Sequence, residues 1–109
     1  MEWHEIRMND IKRIDRIVAE FDIWVDGSLP FAKFKIKIIE RYGKGFYASP
    51  NVAIKNPHTG NPEFIGGLGS TLEEALQDAL AFFWREIEQN SPRRRLVLED
   101  FSWSAGEDF

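Results

Sequence analysis

Residues Lys33 to Ile38 read Lys-Phe-Lys-Ile-Lys-Ile, and this strict alternation constrains the chain more than any other stretch. Successive side chains of a strand point to opposite faces, so Phe34, Ile36 and Ile38 share one face while Lys33, Lys35 and Lys37 share the other. One face is core and the other is wet. Gly43-Lys44-Gly45 follows as a tight turn, since glycine reaches positive φ without steric cost. Phe46 to Ser49 and Val52 to Lys55 continue as strand segments, interrupted at Pro50. A proline cannot donate to a ladder, so it implies a bulge or an edge. Asn56 to Pro62 is dense in turn formers and predicts a hairpin loop, with Glu63 to Leu68 returning as a further strand. The pair Gly66 and Gly67 in that strand points to a bend or a close backbone contact.

A long helix is predicted from Ser70 or Thr71. Either residue can cap it, pairing with Glu73 or Glu74 in a capping box, and acids are favoured at that end of the helix dipole. Leu72, Ala75, Leu76, Ala79, Leu80, Phe83 and Ile87 form one face, and Asn90-Ser91-Pro92 ends the run. Upstream, Ile11, Ile14, Ile17, Val18 and Phe21 recur at helical spacing between charged residues, which predicts an amphipathic helix over residues 9–21 capped by Asn9 or Asp10. Asp22 to Asp26 reads as a short strand or as the end of that helix. Leu96-Val97-Leu98 predicts a last short strand. The expectation is an α+β domain: a three- or four-stranded antiparallel sheet packed by one long helix, with an N-terminal amphipathic helix. One domain spans residues 1–109, with an N-terminal helix and arm (1–30), a β-β-β-α core (31–90) and a C-terminal arm (91–109).

Charge is informative when divided. The net of −4 conceals a segment, residues 33–55, with six basic side chains and one acid, whereas residues 59–109 hold ten acids and four bases. With no cysteine among 109 residues, disulfides, thiolate metal sites and cysteine nucleophiles are excluded. The acidic start and the lack of an apolar run of about 20 residues predict a cytoplasmic protein without a membrane span.

Several groups are candidates for chemistry or binding. Lys33, Lys35, Lys37, Arg41 and Lys44, with Tyr47 as a stacking surface, suit a nucleic-acid backbone, although alternating lysines also describe the solvent face of a strand. Arg93-Arg94-Arg95 suits phosphates or carboxylates, the acidic tail and the helix C-terminus included. His58, in its turn, reads as an exposed loop residue, or else as a general base or a ligand. Gly66 to Gly69 lacks the spacing of a phosphate loop, and Glu73 and Glu74 would repel an anion there. Glu73, Glu74 and Asp78 read as a solvated helix face rather than a metal site, so neither metal nor cofactor is expected. Phe82 and Trp84 lie off the helix stripe, and with Phe101 and Trp103 they are candidates for a partner surface or a dimer interface, with ordinary core as the other reading.

Two pieces carry a family resemblance: Gly45-Phe46-Tyr47-Ala48 after the tight turn, and Gly69-Ser70-Thr71-Leu72-Glu73-Glu74-Ala75-Leu76 opening the helix, with Ala79 one turn on. Through these, residues 35–87 resemble the core of HicB-type antitoxins, a partial RNase H-like β-β-β-α module. The resemblance implies a small non-enzymatic regulatory protein acting through protein–protein contacts. Residues 49–68 make a longer excursion than that family's compact strand. The sheet and following helix also resemble double-stranded RNA-binding domains, but Glu73 and Glu74 stand where that family's phosphate-contacting lysines would be. Nucleic-acid binding through the lysine-bearing face is therefore the alternative expectation.

Overall fold

The computed structural model describes all residues, 1–109. Its main sheet has four strands in the order β1 (Arg16–Trp24), β2 (Lys33–Glu40), β3 (Phe46–Pro50) and β5 (Gly67–Gly69), with every neighbouring pair antiparallel. The single α-helix, α1 (Leu72–Asn90), packs on this sheet. A second, two-stranded sheet pairs β4 (Val52–Ile54) with β6 (Phe101–Trp103). The α+β expectation and its four-stranded antiparallel sheet are thus observed.

The lysine-bearing segment is β2, and its alternation is realised as read. Phe34, Ile36 and Ile38 are fully buried, and with Ala48, Val52, Ile54, Ala75, Ala79, Phe83 and Phe101 they make the core. Burying each of the three large β2 side chains is worth ~1.5–3 kcal/mol. Helix α1 begins at Thr71, whose Oγ1 accepts the Glu74 N–H at 3.1 Å. The Glu74 carboxylate reaches one residue further back, accepting from the Ser70 N–H at 3.0 Å and the Ser70 hydroxyl at 2.6 Å. At the far end the Ser91 hydroxyl donates to the Ile87 carbonyl before Pro92 turns the chain away.

The close backbone contact anticipated for Gly66 and Gly67 is observed, and Gly69 makes another. A Cβ at Gly67 would run into the main chain of Ala75 and Ala79, and one at Gly69 into the main chain at Glu74 and Ala75. Glycine facing alanine lets the backbones of helix and strand nearly touch. As a result α1 lies over β5 and β3, meets β2 far less, and leaves Ala19, Phe21 and Ile23 of β1 only partly buried against the core.

Three expectations are corrected. Residues 9–21 do not form a helix: the stretch leads into β1, paired with β2 from Arg16↔Glu40 to Trp24↔Lys33. The register slips by one residue between Ile17 and Ala19, leaving Val18 as a bulge. That extra residue breaks the two-residue repeat, so Ile14, Ile17, Val18 and Phe21 fall at spacings of three, one and three, which imitates a helical stripe. Glu63 to Gly66 is not strand; only Gly67–Gly69 pairs. Leu96 to Leu98 is not strand either, because a 3-10 turn (Leu98–Asp100) intervenes and pairing begins at Phe101.

Pro50 ends β3, and the chain leaves the main sheet there. Asn51 manages the exit: its side-chain oxygen accepts the Lys35 N–H at 2.9 Å, its own N–H donates to the Lys35 carbonyl at 2.9 Å, and its carbonyl accepts from Ser104 N–H at 2.9 Å. The 56–62 loop closes as predicted, with Asn56 N–H donating to the Asn61 carbonyl and Lys55 bridged to Pro62. Residues 1–15 contribute nothing to the core, and one 3-10 turn there (Trp3–Glu5) sets the His4 ring flat on Tyr42, 3.5 Å between centroids. The molecule is elongated, 54 × 29 × 22 Å, with a radius of gyration of 15.7 Å against ~13 Å for a compact chain of this length.

Gly67→Ala is expected to lower stability by at least ~2 kcal/mol, because the new methyl meets helix backbone that cannot move aside. Gly27, with open space around it, provides the control, and Gly27→Ala should shift stability by no more than about 1 kcal/mol. Urea titrations of both variants measure the difference.

Candidate functional site

Two surfaces bring together the residues singled out from the sequence. The first is the outer face of the main sheet. Lys33, Lys35 and Lys37 project there from β2, beside Glu20, Asp22 and Trp24 of β1. Lys35 Nζ lies 3.1 Å from Glu20 Oε1, and this hydrogen-bonded carboxylate holds the ammonium pKa above the ordinary lysine value. Lys33 Nζ is 3.6 Å from Asp22 Oδ2 and 5.0 Å over the Trp24 ring. Lys37 Nζ sits 4.7 Å over the ring of Phe109. Arg41 and Lys44 stand exposed in the turn between β2 and β3, closed by Arg41 N–H on the Gly45 carbonyl at 2.8 Å. Tyr47 shares the outer face, between Ile39 and Leu68, and its half-buried ring packs against Gly66.

The lysine row is therefore an ordered array of opposite charges. The positive balance of residues 33–55 is answered across the ladder by carboxylates from a strand outside that segment. These pairs are exposed, so each adds at most about 1 kcal/mol to stability. Their effect on the surface potential is larger, because each carboxylate stands within a hydrogen-bond length or a little more of its lysine.

The second surface is aromatic, and the structure divides the four residues proposed for it. Phe101 is 4% exposed and belongs to the core. Phe82 is half-buried, with the Arg85 guanidinium 5.1 Å over its ring. Trp84 and Trp103 are 44% and 40% exposed. They stand at the two ends of one row of touching rings: Trp103 meets Phe31 at 5.0 Å, Phe31 meets Phe34 at 6.3 Å, Phe34 meets Phe83 at 4.5 Å, and Phe83 meets Trp84 at 4.9 Å. Trp84 opens onto a groove of about 200 Å³ lined also by Ser28, Leu29, Ile87 and Glu88.

Leu29 and Phe31 were not singled out by sequence reasoning. They lie in the 27–32 turn between β1 and β2, where neither periodicity nor charge marks them, and only the folded chain carries Leu29 to Trp84 and Phe31 to Trp103.

The remaining polar candidates each have a local occupation. Asp78 accepts the Leu68 N–H at 2.9 Å, which ties α1 to β5. Arg94 grips Asp100 through two bonds of 3.0 and 2.6 Å, so the arginine run does meet the acidic tail. His58 is exposed at its loop tip, its backbone N–H donating to Asn56 Oδ1, and it forms no ion pair with a carboxylate. No three His, Asp or Glu side chains converge as metal ligands, and no helix is long and apolar enough to cross a membrane. Compared with known proteins, the chain matches no family model, no curated protein and no solved structure.

Two carboxylates are held below their ordinary range, Glu74 chiefly by the Ser70 hydroxyl and Asp100 chiefly by Arg94 with help from the Val97 N–H. A native pKa below the unfolded one gives stability that is complete above the unfolded value and is lost as pH falls through the native value. Unfolding titrations from about pH 6 to about pH 2 should show the wild type weakening on the acid side, with Glu74→Gln and Asp100→Asn each flattening that slope.

Proposed function

We propose that the protein is a small, non-enzymatic regulatory module of the cytoplasm that binds another protein, as the resemblance of residues 35–87 to HicB-type antitoxins implies. The observation carrying this reading is Trp84. A large indole left 44% exposed at the mouth of an apolar groove, backed by Phe83 and flanked by Leu29 and Ile87, has the form of an anchor for a partner side chain. Only Ser28 and Glu88 offer polar groups at its rim, which suits docking of an apolar side chain better than capture of a charged metabolite.

The charge pairing on the sheet weighs against the nucleic-acid alternative. A phosphate backbone would have to compete with Glu20 and Asp22 for Lys35 and Lys33.

The tagged chain, isolated from its native cells after brief cross-linking, is expected to carry one stoichiometric protein partner. Trp84→Ala should weaken that complex about 30-fold, the loss of an anchor worth ~2 kcal/mol, while Lys35→Glu with Lys37→Glu should leave it intact. Recovery of the chain alone would overturn the proposal. So would RNA or DNA binding that falls steeply with salt and is abolished by the lysine substitutions.

A further inference from the structure

Strand β1 forms one edge of the main sheet, and no other strand of the chain pairs with its outer side. Its nine residues, about 30 Å of strand, pair with β2 on one side only, so the N–H and C=O groups directed to the other side are free. Proteins usually defend such an edge with a lysine, a proline or a covering element. Residues 16–24 contain neither lysine nor proline, α1 lies over the opposite side of the sheet, and the two carboxylates of the strand are drawn back toward the lysines of β2. The one defence present is the bulge at Val18.

Exposed apolar side chains also occur along β1 and the segment that leads into it. Met8, Ile11, Ile14, Ile17, Val18 and Trp24 are six of the fourteen large hydrophobic residues that the fold leaves exposed, and Trp24 is 70% so. On the inner face of β1, Phe21 and Ile23 are only half-buried, because the helix that would have covered them stands over β5 and β3. An edge with free backbone groups and an apolar border is incomplete as it stands.

The charges along this edge identify what completes it. Residues 12–17 carry three bases, Lys12, Arg13 and Arg16, against Asp15, whereas residues 19–26 carry three acids, Glu20, Asp22 and Asp26, and no base. The edge is positive before Val18 and negative after it. A second copy laid antiparallel, with the two-fold axis near Val18, sets the basic stretch of each chain, Arg16 and the residues leading into the strand, beside the acidic stretch of the other; a parallel copy would set like on like. The ion pairs these groups make within the chain, Arg13 with Asp15, Arg16 with Glu40, Glu20 with Lys35 and Asp22 with Lys33, all stand at least partly in solvent, which leaves their charges open to sharing.

We infer that β1 is the interface of a symmetric homodimer, in which two copies join edge to edge through antiparallel β1 strands into one continuous eight-stranded sheet. This interface is separate from the Trp84 groove, and it stands or falls independently of what that groove binds.

Sedimentation equilibrium over a range of concentrations, together with amide hydrogen exchange, tests it. The full chain should be a dimer in reversible equilibrium. Exchange within residues 16–24 should slow as concentration rises, while exchange in α1 stays constant. Lys12→Glu with Arg13→Glu lies outside every strand, so the fold is expected to survive; it should raise the dissociation constant at least about tenfold, as rising salt should for the wild type. Ile17→Lys, at an exposed position on the edge strand, should act in the same direction, with circular dichroism reporting an unchanged fold. A monomer at every concentration would overturn the inference. A dimer indifferent to both variants, with unchanged exchange in β1, would overturn it equally, and neither result would touch the Trp84 complex.

Discussion

The near contact between β5 and α1 governs the architecture. Gly67 and Gly69 present no side chain and Ala75 and Ala79 present one methyl each, so at this seam the helix comes closer to the sheet than a pair of leucines would allow. A helix drawn down at one side of a four-stranded sheet cannot also cover the other side. The deep core therefore lies beneath β2, β3 and β5, and the inner face of β1 is left half-dry. The same placement turns Trp84 outward beside the 27–32 turn. Both surfaces to which binding is assigned are consequences of where four small residues allow the helix to sit.

The outer face of the sheet shows why net charge by segment and charge in space differ. Residues 33–55 are strongly basic when counted along the chain, but antiparallel pairing puts β1 beside β2, and Glu20 and Asp22 arrive opposite the lysines. What remains without an ion pair in that segment is Lys37, over Phe109, the turn cations Arg41 and Lys44, and Lys55 at its end. Pairing of this kind also fixes register, since a slip of one residue would turn every lysine of β2 into the core.

Much of the core was legible because its signals are local. Alternation in β2, the Thr71 and Glu74 cap, the alanine-rich helix face and the glycines of β5 each state their structure within a few residues. Of strand β1 only the end, Asp22 to Trp24, was open to a strand reading; its first part was not legible, because one bulged residue converts a two-residue period into spacings that fit a helix equally well. Pairing of β4 with β6 was invisible for a different reason: nothing near Val52 announces that its partner stands at Trp103. Of the aromatic residues proposed for binding, Trp84 and Trp103 could not be told from Phe101 by composition or spacing. Phe31, from a turn without periodicity, meets the rings of Phe101 and Trp103 at the same 5.0 Å, so the difference in burial lies in the rest of the packed core around Phe101.

The pairing of β4 with β6 also has a bearing on the order of events in folding. Strands β2 and β3 meet across a five-residue turn and β5 follows β3 before the helix begins, whereas β6 must return across the whole helix to find β4. The entropy of closing that long loop is recovered only when a finished surface waits to receive it. The C-terminal strand is thus the natural last arrival and the natural first departure, held by three paired residues, the Asn51 carbonyl and the clasp of Arg94 on Asp100. When it lifts, Val52 and Ile54 lose their partner strand and Phe31 loses two of the rings against it. The least costly opening of this molecule therefore bares apolar surface beside the main sheet while the β-β-β-α core remains closed.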